Sequence, residues 1–366
     1  MTTVTITETF FGVTENGNEI KKYTLSTTDG FEVALINYGA TIQSIRQPDK
    51  QNKVTEITLG YDTLQEYIDD AYFFGCTVGR VTNRIRNGRF ELDGTIYELP
   101  KNDGIKKHYL HGSFNKRVWD SSTENNNTVV FKYRSPDDED GFPGEVDVTV
   151  KYVLTSDHRL TLDFHATTTK PTPVNMTNHV YFNLAGHANG SILDHQLIVP
   201  ASKFLPSDEE FIPTGIVLTM LLINVTFSLG EINSVENTPY DFQTLTRIGD
   251  RINASVDGYA MMFIVDGEGK RPFGKLVHEQ SGRAITIDST QKGLQFYTGD
   301  FLDGSKGHDG VVYKRHGALC LETQNFNDSV NNQPLFASTI LRPGEEYHEQ
   351  TTFHFHLGSY SVPFNY

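Results

Sequence analysis

Cysteine is almost missing from this chain. Cys76 and Cys320 are its only two, too few for a disulfide framework, so both are expected as free thiols in a reducing compartment. Positive charge is in deficit as well: 31 Lys and Arg stand against 46 Asp and Glu, a formal net charge of −15. That balance excludes a nucleic-acid partner, which needs a basic surface, and docking on an anionic membrane. Long apolar runs are lacking. The most apolar stretch, Ile216 to Leu229, is too short to span a bilayer and is interrupted by Asn224. The N-terminus, MTTVTITETFFGV, has no basic start followed by an apolar stretch, so no signal peptide is expected and the protein is expected to be cytoplasmic. Several chemistries lack their motifs: there is no glycine-rich phosphate loop, Gly-x-Ser-x-Gly elbow, Cys-x-x-Cys pair or His-Glu-x-x-His.

What is present is a period of two. The segments Val146 to Tyr152, Leu160 to Ala166, Ala284 to Asp288 and Phe353 to Leu357 alternate apolar and polar residues, the pattern of half-buried antiparallel strands. Asn87-Gly88 and Asp93-Gly94 bracket Arg89 to Leu92, which predicts two successive tight hairpins. Helical patterning is scarce. One short helix fits between Asp62 and Tyr72, with Leu64, Tyr67 and Ile68 on one face. Without alternating strands and long helices a parallel α/β sheet is excluded. No linker or repeat divides the 366 residues, so the expected fold is all-β, a single large antiparallel β-sandwich over 1–366.

Four clusters bring titratable residues into turn-rich, aromatic surroundings. In Gly79-Arg80-Val-Thr-Asn83-Arg84 the donors suit a polyhydroxy ligand, although surface arginines at a strand end are the plainer reading. His108 and His111 are three apart, yet no third ligand at a standard metal spacing follows. His179 lies among Asn175, Asn178, Tyr181 and Asn183, a setting that can orient an imidazole as acid or base or simply satisfy a core histidine. Glu322 ends an apolar strand. Burial there raises a carboxyl pKa and improves the base, whereas a strand-end salt bridge is the competing reading. The acidic run Asp137 to Asp140 reads as a solvated loop, and His354 with His356 as a stripe on the outer face of a strand.

Together these clusters resemble the aldose 1-epimerases, or galactose mutarotases. The resemblance is carried by GRVTNRI with NGRFELDG, YLHGS with VWD, SPDDEDGFPGE, TPVNMTNHVYFNLAG, LPSDEEFIPTG, GLQFYTGDFLDG, LETQNFNDSVN and LRPGEEY, all in the family's order. It implies a galactose mutarotase-like sandwich that exchanges the α and β anomers of a hexose such as galactose or glucose, with no cofactor and no metal. By motif, Glu322 in LETQ matches the family base and His179 in TNHVYFNL the family acid. Asn83, Arg84, His111, Tyr181 and Gln295 match or adjoin sugar-contacting positions. Tyr181, Phe296 and Tyr297 are candidates for an aromatic wall. The expected partner is a small hexose, with the protein a monomer or homodimer. The rival readings are a hexose-6-phosphate 1-epimerase, for which Arg80, Arg84 and Arg86 could hold phosphate, and a weakly active or inactive sugar-binding homologue.

Two departures from the family's pattern stand out. The family has an Asp where this chain has Ala260, in Gly258-Tyr-Ala-Met-Met-Phe263. Asp257, three residues away, would face the other side of a strand. Losing such a polar contact weakens sugar binding by roughly 1–3 kcal/mol. The second departure is the apolar segment 216–230, which interrupts a string that otherwise runs from IPTG into EINSVENTPYDF.

Overall fold

Alternating side chains dictate which face of each strand is buried, and the three main sheets follow from that rule. The computed structural model describes residues 3–214, 232–254 and 258–358. The segment 216–230 and Asp257 lie outside the described residues. The strands Val4–Val13, Glu19–Thr27, Glu32–Ile36, Thr41–Pro48 and Val54–Glu56 form a five-stranded meander. A nine-stranded sheet is centred on Val146–Leu154, Arg159–Thr168, Tyr347–Leu357 and Arg283–Ser289. A six-stranded sheet has the order Tyr181–Phe182, Leu319–Gln324, Gly293–Tyr297, Ala260–Ile264, Lys203–Leu205, Asn233–Ser234. The ladders of all three are antiparallel, and Val81 with Asn175 forms an isolated parallel bridge.

All four alternating segments are strands, and Val146–Leu154 shows the pattern most clearly, with buried Val146, Val148, Val150, Tyr152 and Leu154. Those side chains meet Leu294, Phe296, Leu319 and Leu321 from the six-stranded sheet and Val33 and Leu35 from the meander in one large core. Burial of such side chains contributes about 1.5–3 kcal/mol each. The predicted helix is Leu64–Asp69, started by a capping box between Thr63 and Glu66, with Leu64 and Tyr67 buried.

One of the two predicted hairpins is absent. Asp93-Gly94 joins Arg89–Leu92 to Thr95–Glu98 as expected. Asn87-Gly88 does make a tight turn, both residues at positive φ, but the strand before it, Arg84–Ile85, pairs with Tyr109–Leu110 instead. The turn is held from outside: the Asn87 N–H donates to His108 Nδ1 at 2.9 Å and the Leu99 N–H to Gly88 O at 2.7 Å. The acidic run is also less solvated than its composition suggests. Glu139 accepts from Arg117 Nε at 2.8 Å and Tyr133 Oη at 2.6 Å, and Ser113 donates to Asp140 at 2.7 Å.

Candidate active site

The six-stranded sheet turns one face to the core, and its other face is a pocket wall. Leu294 and Phe296 point to the core, so Gln295 and Tyr297 point away from it; Leu319 and Leu321 do the same for Cys320 and Glu322. Register then stacks these residues in rungs. Met262 pairs with Gln295 and Gln295 with Glu322, while Ala260 pairs with Tyr297, Tyr297 with Cys320, and Cys320 with Tyr181. A carboxyl, an amide and two phenols thereby share one small surface. Phe296 faces the core and is not part of the aromatic wall; Tyr181 and Tyr297 line the pocket.

His179 reaches that surface from the short stretch between Thr177–Asn178 and Tyr181–Phe182. Its Nε2 lies 3.7 Å from Glu322 Oε2 and its Nδ1 3.6 Å from Cys320 Sγ. The ring stacks on Tyr181, centroids 5.1 Å apart, and the Tyr181 hydroxyl donates to Tyr72 O at 3.0 Å. His111 sits beside it, ring centroids 5.2 Å apart. The Asn83 N–H donates to His111 Nδ1 at 3.2 Å, which leaves the His111 proton on Nε2 as a donor. Asn83 and His111 both hold left-handed φ, +61° and +62°, a sparsely populated conformation that clusters at functional sites. Gly112 follows, also at positive φ, and a Cβ there would come within 2.4 Å of Gly79 O and Tyr109 Oη. The His-Gly pair is thus the sequence that this close turn permits.

All seven candidate site residues line this one pocket. Arg84 has its guanidinium carbon 5.0 Å from the Phe211 ring centre, and its buried Nε has no hydrogen-bond partner. Arg80 and Arg86 do not join it. Arg80 is 1% exposed and donates to Pro143 O, Gly144 O, Thr172 Oγ1, Ser135 Oγ and Pro136 O. Arg86 is turned toward Asp208 and Pro213 O. His108 is fully buried, bonded to Asn87 N–H and Glu210, and so is structural. Sequence reasoning missed Phe73, which stacks on His179 and packs tilted against His111, and Asn327, whose amide donates to Gln295 Oε1 at 3.1 Å. Asn327 lies in the quoted LETQNFNDSVN string, so the signal was there; Phe73 carried none.

The electrostatics follow from burial. Glu322 is 2% exposed, its Oε2 has no hydrogen-bond partner, and no Lys or Arg pairs with it among the described residues. Desolvation pushes its carboxyl up to about 8. The same burial pushes His179 down to about 4. His111 is held well below its ordinary value by burial, with His179 and Arg84 adding repulsion. Between these limits the resting pair holds one proton, on the Glu322 carboxyl with His179 neutral. Such opposed shifts in a cleft make the two groups candidates for proton transfer. Ala260 lines the same pocket beside Met262. This part of the pocket therefore offers a methyl and a thioether where a carboxylate was expected from the family pattern.

Comparison with known proteins agrees with this architecture. A family model described as aldose 1-epimerase matches residues 21–354. The galactose mutarotase of Mus musculus is 39% identical over 359 residues, covering 96% of this chain and 99% of that protein. The aldose 1-epimerase of Escherichia coli is 34% identical over 354 residues, covering 93% and 96%. The crystal structure of an aldose epimerase homologue from C. elegans superposes with a TM-score of 0.82 at 27% identity, covering 96% of this chain and 100% of that one. The chain belongs to the aldose 1-epimerase family.

Proposed function

We propose that this chain interconverts the α and β anomers of aldohexoses such as galactose and glucose, with Glu322 as general base and His179 as general acid. The observation that carries this reading is the buried Glu322 carboxyl, whose Oε2 has no hydrogen-bond partner and lies 3.7 Å from His179 Nε2, in a pocket lined by hydroxyl-binding groups. In the reaction Glu322 takes the anomeric hydroxyl proton, the bond from C1 to the ring oxygen breaks, and His179 protonates that oxygen. The open aldehyde turns about its C1–C2 bond and recloses from the other face, with each group reversing its role. Sugar binding favours the tautomer needed. The anomeric hydroxyl donates to a carboxylate, and the ring oxygen accepts from an imidazolium. Asn83, Arg84, His111, Tyr181 and Gln295 supply directional partners for the remaining hydroxyls, and Tyr181 and Tyr297 a face for the ring. The chemistry calls for neither a metal nor a cofactor.

The unphosphorylated sugar is preferred because Arg84 is left to face the pocket alone once Arg80 and Arg86 are bonded elsewhere. Ala260 favours a lowered affinity or a changed sugar preference over the family's usual behaviour. We further propose a single catalytic domain over 1–366 that serves hexose metabolism in the cytoplasm as a monomer or homodimer, without nucleic-acid or membrane partners. The two buried free thiols support a reducing compartment. The test is polarimetry of freshly dissolved α-D-galactose, α-D-glucose and glucose 6-phosphate above the spontaneous rate. Acceleration of the two free hexoses is expected. Acceleration of the phosphate alone would support the rival epimerase, and binding without acceleration the inactive homologue.

A further inference from the structure

The outer face of the nine-stranded sheet carries a second cluster of ligating groups, away from the pocket wall. His165 and His348 sit directly opposite each other on the adjacent strands Arg159–Thr168 and Tyr347–Leu357. Asp163 lies two residues before His165, so it shares that face. Phe164 and Ala166 between and beyond them point into the core. The two imidazoles stack, centroids 4.1 Å apart at 18°. Both turn Nε2 toward one carboxylate: His348 Nε2 is 2.9 Å from Asp163 Oδ1, and His165 Nε2 is 3.3 Å from Asp163 Oδ2. The three ligand atoms lie within 4.8 Å of one another.

The tautomer of His165 makes this more than a hydrogen-bonded trio. Its Nδ1 is 2.7 Å from Glu346 Oε1, so in the neutral ring Nδ1 carries the proton and Nε2 presents a lone pair. That lone pair faces an anionic oxygen. A divalent ion between the two would be ligated by both and would balance the charges of Asp163 and Glu346. The 3.3 Å between His165 Nε2 and Asp163 Oδ2 matches the edge of a tetrahedral site, where ligands about 2.0–2.1 Å from the ion stand roughly 3.3 Å apart, and His348 Nε2 lies within 4.8 Å of both other ligand atoms. Glu346 would then be the carboxylate that orients a ligating histidine from behind. The side chains of Asp163, His165 and His348 are 21%, 31% and 53% exposed, open enough for entry and for a water as fourth ligand.

We propose that Asp163, His165 and His348 form a binding site for a zinc-class divalent ion, with Glu346 holding His165 in the ligating tautomer. The site is separate from the proposed sugar chemistry and does not rest on it. The test uses the full-length, untagged protein at pH 7.5. Zn²⁺ is titrated calorimetrically, and Co²⁺ is followed by its visible ligand-field bands. One tight ion per chain is expected for the wild type, with the band lost in H165Q/H348Q and affinity lowered at least ~10-fold in E346Q. Anomerase activity should be unchanged in all three proteins. Zinc and cobalt titrations identical in wild type and H165Q/H348Q would overturn the assignment, because the metal then sits elsewhere. No binding at millimolar metal would overturn it as well.

Discussion

Replacing Glu322 by Gln should make the protein more stable and destroy its activity, and the size of the stability gain should depend on pH. Burial raises this carboxyl from 4.5 to about 8. Between those values the folded state holds a proton that the unfolded state has released. Stability therefore falls as pH rises through that window, and the penalty is absent below pH 4.5, where both states are protonated. At pH 7 the separation of about 2.5 pH units corresponds to ~3 kcal/mol, and at pH 5 to less than ~1 kcal/mol. An amide does not titrate, so E322Q escapes the penalty. Any fixed cost of burying the amide cancels when the two pH values are compared. For a chain of this length ~1 kcal/mol moves Tm by about 1.3 °C. The variant-minus-wild-type Tm should thus be about 3–4 °C larger at pH 7 than at pH 5, measured by calorimetry at one scan rate. A difference that stays the same at both pH values would refute the claim that Glu322 is held protonated by desolvation.

Three further outcomes follow from the same geometry. Activity should be bell-shaped in pH. It is lost on the acid side, toward about 4, when both groups are protonated, and on the alkaline side, toward about 8, when neither is; a monotonic kcat/KM profile across the stable range contradicts the one-proton pair. H179N should lower kcat by about 10²–10⁴ with a smaller change in KM, and a preserved kcat would remove His179 from proton transfer. A260D should lower KM for galactose by about 5- to 150-fold, the equivalent of 1–3 kcal/mol, and an unchanged KM would show that this wall does not touch the sugar.

Much of this was legible because period-two patterning is local. Valines at 146, 148 and 150 announce both a strand and its buried face. Long-range register is not local. That Met262, Gln295 and Glu322 form one rung depends on three strands far apart in sequence meeting in alignment, and only the motif strings anticipated the grouping. The missing first hairpin has the same origin: Asn87-Gly88 turns as its chemistry dictates, but Tyr109–Leu110 captures the preceding strand. Arg80 shows the limit of composition. A guanidinium beside glycine and Asn83 looks like a ligand group, yet backbone oxygens from a distant loop occupy it. Phe73 stayed hidden because its place against two histidines is a matter of loop geometry alone.

The central claim is that one buried carboxyl does the proton abstraction, and the initial rate of optical-rotation change of fresh α-D-galactose measures it directly. The wild type should accelerate the change well above the spontaneous rate, and folded E322Q should fall by about 10²-fold or more toward that rate. A folded E322Q that matches the wild type would contradict the account.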